Sequence, residues 1–235
     1  MFIPIYDENP LRHIKRPYVT WGLIALNCLI FALQSSVPGD HVAASFAIVP
    51  NELFRVGILG GAAMGPYDAW PVPERYTLFS YMFLHGDIMH LAGNMAFLWV
   101  FGDNVEDALG HLKFALYYVA CGIAGGFAHA AMLASSNLPL IGASGAVAGV
   151  IVGYLILYPQ VRVWVLAFRF IPLRITALFA LGAWVATQFA MLAIPYVIPS
   201  VKIGPVSWWA HIGGIAAGTV LLFAMRRTDP GRMNA

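Results

Sequence analysis

The sequence predicts an all-α membrane protein: a bundle of six transmembrane helices with a large membrane-associated first outer loop. Two observations carry this. Of the 235 residues, 60% are hydrophobic and only 10% charged, whereas a soluble globular chain carries about 25% charged residues. The apolar residues also gather into six runs, at 18–34, 88–101, 114–134, 143–158, 173–194 and 208–225. A helix crossing a bilayer needs roughly 20 such residues, and fewer where it is sunk in protein. The second and fourth runs are short.

Residues 1–17 hold Arg12, Lys15 and Arg16 and no apolar stretch of signal-peptide length, so they are expected to form a cytoplasmic N-terminal segment. The first span lacks a small-residue cleavage site after it and is expected to be retained. The long stretch 35–85 has no regular span, yet it holds Leu53, Phe54, Trp70, Tyr76 and Phe79. Such a segment suits the outer membrane interface, where Trp and Tyr rings are well placed. Its Gly57, Gly60, Gly61 and Gly65 point to irregular backbone. Asp87 stands where the second helix needs an N-cap. Cys28 and Cys121 both fall inside spans and read as small packing residues rather than a disulfide. No linker or repeat divides the chain, so 18–226 is one membrane domain and 227–235 a cytoplasmic tail.

Basic residues orient the bundle. Six spans place both termini on one side, which receives Arg12, Lys15, Arg16, Lys113, Arg162, Arg169, Arg174, Arg226, Arg227 and Arg232. The other side receives only Arg55, Arg75 and Lys202. The expectation is a multi-pass protein of the plasma (cell inner) membrane with both termini cytoplasmic.

Ionisable and strongly polar groups inside a bilayer are costly and mark function by default. Here they are His90 and Asn94 in the second span, His129 in the third, Ser144 at the start of the fourth and His211 in the sixth, with Asn27 and Gln188 completing the set. The second, fourth and sixth spans all enter from outside, so His90, Asn94, Ser144 and His211 fall at similar depth in the outer leaflet. His90 and Asn94, four residues apart, share a helix face. His129 lies apart from this group in the chain and is left out of it.

These residue types suit acyl transfer. A serine hydroxyl is a weak nucleophile until a base takes its proton, and histidine titrates near neutrality. The tetrahedral intermediate needs donors aimed at its oxyanion. The Asn94 amide, the His90 ring and the Ser144 backbone N–H at a helix N-terminus can supply them. With no Asp or Glu near Ser144 or His211 in sequence, the site reads as a Ser144–His211 dyad. Gly142, Gly145 and Gly149 flank the serine, and Gly214 and Gly218 follow the histidine. Small residues at this spacing let helices approach closely. Taken singly, each residue has a plainer reading: a membrane serine bonded back to its own helix, a structural histidine, a packing glycine. The constellation is far more specific than any member.

Four motifs then appear in order. The segment 85–94 reads H-x-x-x-x-H-x-x-x-N, from His85 through His90 to Asn94. The segment 102–110 reads G-D-N-V-E-D-A-L-G, 142–146 reads G-A-S-G-A, and 210–214 reads A-H-I-G-G. Together they resemble the rhomboid family of intramembrane serine proteases, and the resemblance covers nearly all spans. It implies a six-helix bundle of rhomboid type that cleaves transmembrane substrates near the outer membrane face. Ser144 would be the nucleophile, His211 the general base, and His90 and Asn94 part of the oxyanion hole. Two positions differ from the family pattern. Trp70 and Arg75 stand apart where many members pair Trp with Arg. Ala148 stands where some members stack an aromatic ring on the histidine. The 142–146 segment lacks the last glycine of a G-x-S-x-G elbow and has no strand before it, which excludes an α/β-hydrolase.

The expected partners are single-span transmembrane proteins and the lipid bilayer. A net charge of +2 without a basic patch gives no sign of nucleic acid. No cofactor is expected, and no metal, since His85, Asp87 and His90 make no coherent tetrahedral set. One rival is a proteolytically silent, client-binding relative of chaperone type, but such relatives typically lack the serine or the histidine, and this chain keeps both. A small transporter is a second rival, disfavoured because its polar residues would occupy both membrane halves.

Overall fold

The computed structural model describes residues 2–57, 60–65, 67–167, 170–198 and 206–225. The expected tail 227–235, and five of the basic residues used for orientation (Arg169, Lys202, Arg226, Arg227 and Arg232), lie outside the described residues. In chain order the elements are β1 (Ile3–Asp7), α1 (Tyr18–Ser36), α2 (His41–Phe46), α3 (Pro50–Val56), α4 (Glu74–Ser80), α5 (Ile88–Leu109) and α6 (His111–Met132). There follow α7 (Ser144–Leu157), β2 (Arg162–Ala167), β3 (Ile171–Thr176), α8 (Ala177–Val197) and α9 (Trp208–Met225).

Among the described residues four helices are long and apolar enough to cross a membrane: α1, α6, α8 over 177–194, and α9. By length and composition they mark a multi-pass membrane protein. The two remaining expected spans correspond to α5 and α7. α5 has 22 residues but carries Asp103, Glu106 and Asp107 in its last turns. α7 has only 14 and is buried along most of its length, from Gly145 to Tyr154. The outer helices present the opposite surface. Leu29 and Leu33 on α1 and Phe179 and Phe189 on α8 are exposed, as suits side chains that meet lipid rather than water.

Close backbone approach brings α6, α7 and α9 together. The buried Tyr117 hydroxyl of α6 donates to the Gly149 carbonyl of α7 at 2.6 Å and lies 3.1 Å from the Gly218 carbonyl of α9. A Cβ on Gly149 would sit 2.5 Å from the Cys121 sulfur, and one on Gly218 would sit 2.8 Å from the Gly149 Cα. Cys121 is thus buried packing, while Cys28 is exposed on α1; both thiols are free.

The G-x-x-x-E-x-x-x-G segment is a joint of the fold. α1 begins after Pro17 without a side-chain cap of its own. The fully buried Glu106 carboxylate takes that role, accepting from the Val19 N–H at 3.0 Å, the Thr20 N–H at 2.8 Å and the Thr20 hydroxyl at 2.7 Å. Acceptors of negative charge are favoured at a helix N-terminus. Gly102 lets α1 in, since a Cβ there would press on Leu98 and Thr20. Gly110, at φ 82°, turns the chain from α5 into α6. Asp107 gathers the backbone N–H groups of Arg12, His13 and Ile14.

Several expectations need correction. The chain is mostly rather than all helical: β1, within the N-terminal segment, pairs antiparallel with β2, which pairs with β3, giving a three-stranded sheet in the order β1-β2-β3. The fifth span was expected from residue 173, but 171–176 belong to that sheet and the helix starts at Ala177. The run is apolar enough for a span, yet its register from Ala167↔Ile171 to Arg162↔Thr176 satisfies its backbone as a hairpin. Glu8 fastens the sheet by a two-pronged contact with Arg174, at 2.7 and 2.6 Å. The third helix starts at His111 rather than 114, and α5 runs on to Leu109 rather than ending at 101. The stretch 35–85 contains three short helices, α2 to α4. Irregular backbone was rightly expected at Gly57, which has φ 75°.

Candidate active site

α5, α7, α8 and α9, together with Phe2 and with Ala167 of β2, line a cavity of about 650 Å³. His90 and Asn94 reach it from α5, Ser144 from α7, Gln188 from α8 and His211 from α9. All four residues selected from the sequence thus line a single space.

Ser144 is the first residue of α7, where the helix's leading N–H groups have no intrahelical acceptor. The approach is made by Gly142, whose φ of 123° suits glycine alone. A Cβ on Gly142 would also stand 2.7 Å from the His90 ring. Its N–H donates to the Tyr81 carbonyl at 2.9 Å, anchoring the turn. The glycine therefore positions serine and histidine together.

Asp87 caps α5, as expected, by accepting from the Met89 and His90 N–H groups, both at 2.8 Å. That fixes the first turn from which His90 projects, its ring edge-on to His85 with centroids 5.1 Å apart. One turn later Asn94 is buried, and its amide nitrogen has no hydrogen-bond partner among the described residues. A buried donor without an acceptor is costly, and this one belongs to a side chain lining the cavity.

His211 is buried between two indoles, Trp184 at 5.8 Å and Trp208 at 6.0 Å between centroids. Its Nδ1 lies 2.7 Å from the Gln188 Oε1. The helix bearing it is held against α7 by the glycines. A Cβ on Gly145 would stand 3.3 Å from the Ala210 carbonyl oxygen, and Gly214 abuts the Gly145 carbonyl. Ser144 and His211 make no hydrogen bond to each other among the described residues. Such contacts are commonly long in a substrate-free site and tighten as the reacting complex forms. His129, set aside in the sequence, is buried on α6 near enough to His211 for electrostatic interaction, but it does not line the cavity.

Sequence reasoning noted Gln188 as polar but gave it no place. Its signal was an amide in an apolar helix, one turn after Trp184. Selecting helices that enter from outside passed over it, because α8 runs the other way. The two departures from the family pattern also find their places. Trp70 packs on Phe46 at 5.7 Å between ring centroids, and its backbone N–H donates to the Ser45 hydroxyl oxygen at 3.2 Å. Arg75 donates to the Gly60 carbonyl at 3.1 Å and lies over the Tyr76 ring. With Ala148 unable to stack on the histidine, Trp184, Trp208 and Gln188 surround His211 instead. Among the described residues no group of three or more His, Cys, Asp or Glu side chains is arranged to hold a metal ion.

The family model described as "Rhomboid domain" matches residues 72–228. Among curated proteins the chain is similar to RHOMBOID-like protein 4 of Arabidopsis thaliana, 30% identical over 179 residues, which are 74% of this chain and 41% of that protein. It is 32% identical over 137 residues to Rhomboid protease GluP of Bacillus subtilis, covering 57% of this chain and 23% of the relative. It is 26% identical over 117 residues to Rhomboid protease GlpG of Klebsiella pneumoniae subsp. pneumoniae, covering 50% and 36%. The chain spans less than half the length of each of these relatives.

Proposed function

Because this chain belongs to the rhomboid family, we propose that it is an intramembrane serine endopeptidase that cuts single-span transmembrane proteins near the outer membrane face. In this reading α5 and α7 complete a six-span bundle in the plasma membrane. Both termini and the β-sheet are cytoplasmic, and the mouth of the cavity faces outward. The observation that carries the proposal is the gathering of Ser144, His211, His90 and Asn94 around one cavity, with a buried Asn94 amide that has no acceptor among the described residues.

The chemistry follows from these groups. The Ser144 hydroxyl attacks the scissile carbonyl while His211 takes its proton on Nε2. The oxyanion that forms is received by the Asn94 amide, the His90 ring N–H and the Ser144 backbone N–H. The C–N bond breaks as His211 returns the proton to the leaving amine, leaving an ester on Ser144. Water entering from outside, activated by the same histidine, hydrolyses that ester and restores the serine. No step calls for a metal or a cofactor.

The test is cleavage of a panel of single-span proteins by the purified protein in liposomes, beside Ser144→Ala. Cleavage near the outer face by the wild type alone supports the proposal. Equal cleavage by both proteins, or none by a folded wild type on any substrate, contradicts it; the latter is the outcome for a silent client-binding relative.

A further inference from the structure

A neutral imidazole carries one proton, and it serves as a base only through the other nitrogen. For His211 to accept from Ser144 through Nε2, its proton must reside on Nδ1, and an acceptor must hold it there. Among the described residues no carboxylate takes that place. The titratable groups that act on His211 are His90 on α5 and His129 on α6, and neither is an anion. What meets Nδ1 is the Gln188 side-chain oxygen, at 2.7 Å.

The orientation of that amide is not free. Its nitrogen donates to the Trp184 carbonyl one turn back on α8, at 2.7 Å. Turning the amide over would set its oxygen against the Trp184 carbonyl oxygen, two acceptors with no donor between them. The Trp184 carbonyl therefore fixes the amide, and the amide fixes the imidazole. Both side chains are buried, Gln188 at 3% exposure and His211 at 8%. A neutral acceptor here avoids burying an uncompensated charge inside an apolar bundle.

We propose that Gln188 is the positioning residue of the catalytic pair: it holds the proton of His211 on Nδ1 and leaves Nε2 bare toward Ser144. The proposal rests on the reading of Ser144 and His211 as nucleophile and base. It also assigns to α8 the third member that the neighbourhood of Ser144 and His211 in sequence lacks.

Two substitutions at this position separate positioning from packing. Gln188→Met keeps length and shape but offers no comparable acceptor; Gln188→Glu keeps the acceptor at the cost of a buried acid. Losing the partner that sets the tautomer costs up to about 10⁴-fold in kcat in a Ser-His-Asp site. Because a neutral amide holds the ring less strongly than a carboxylate, Gln188→Met is expected to lower kcat by about 10- to 100-fold with KM nearly unchanged. Gln188→Glu is expected to retain the greater part of the rate. A packing role predicts the reverse order, with Met tolerated and Glu impaired, and that order overturns the proposal.

Ring-¹⁵N spectra of His211 decide the matter independently of turnover. The expected result is a protonated Nδ1 and a bare Nε2 in the wild type, giving way to mixed tautomers in Gln188→Met. A wild type protonated on Nε2, or identical tautomers in both proteins, contradicts the role of Gln188. Fluorophosphonate labelling of Ser144 in the same wild-type sample reports separately on the protease reading. Failure of that reading is thereby distinguished from failure of this one.

Discussion

Gly145 of α7 and Gly214 of α9 meet backbone to backbone: a Cβ on Gly214 would collide with the Gly145 carbonyl oxygen. This contact lies one residue from Ser144 and three from His211, so the distance between the two helices sets the geometry of the pair. Gly214→Ala must push the helices apart. Overpacking of this kind typically costs about 1–3 kcal/mol, and here the obstructing atom is backbone. The expected outcome is a lower melting temperature in detergent together with loss of cleavage. Gly22→Ala on α1 is the control, since nothing lies within 4 Å of a Cβ there. A gain of about 0.5–1 kcal/mol is expected from replacing a mid-helix glycine. Equal behaviour of the two variants would show that close approach of α7 and α9 is not required.

Asn94 tests the oxyanion assignment. A donor that strengthens only in the transition state affects kcat and leaves substrate binding nearly alone. Removing one such donor costs about 10²–10³-fold in kcat. Asn94→Ala is therefore expected to lower kcat and kcat/KM together at unchanged KM, with the melting temperature close to that of the wild type. Full activity per folded molecule would remove Asn94 from the site.

Asp7 makes stability depend on pH. Its carboxylate accepts from the Tyr154 hydroxyl at 2.5 Å and lies near Asp103 of α5. Burial is the larger influence and pushes its pKa up from 3.8 to about 6, against the opposing effect of the Tyr154 bond. The folded chain thus holds this proton more tightly than the unfolded chain. The protonated group adds stability that is fully present below about pH 3.8 and is lost as pH rises through about 6. Asp7→Asn is expected to be nearly neutral at pH 4 and to raise the melting temperature relative to wild type above pH 6. A difference between the two proteins that does not vary with pH would refute the assignment.

Orientation is tested by cysteine accessibility in intact cells. A cysteine at position 65 should react with an impermeant reagent and one at position 230 should not. The opposite pattern would place the cavity mouth on the cytoplasmic side.

Much of this was legible in the sequence because two rules acted without competition. Apolar runs of sufficient length have few alternatives to helices in a bilayer, so the four helices among the described residues that are long and apolar enough to cross a membrane, α1, α6, α8 and α9, fall on four of the expected runs. Polar residues in those runs had to converge, and His90, Asn94, Ser144 and His211 line one cavity. The sheet was not legible. In 162–176 an apolar stretch and a strand look alike, and the pairing partner that settles the choice, β1, lies over 150 residues away in sequence. Gln188 was missed for a related reason: its meaning comes from the His211 nitrogen across a helix interface, and nothing local to α8 announces it. Glu106 was seen only as a motif letter. Its capping of α1, 86 residues earlier in the chain at Thr20, is a tertiary fact.

The central claim, that Ser144 is a nucleophile activated by His211, is tested most directly by mass-spectrometric mapping of the residue modified by a fluorophosphonate in the purified, membrane-reconstituted protein. The expected result is a single adduct on Ser144, absent from Ser144→Ala and strongly slowed in His211→Ala, with both variants folded. An adduct that persists in Ser144→Ala, or equal labelling rates with and without His211, would contradict the account.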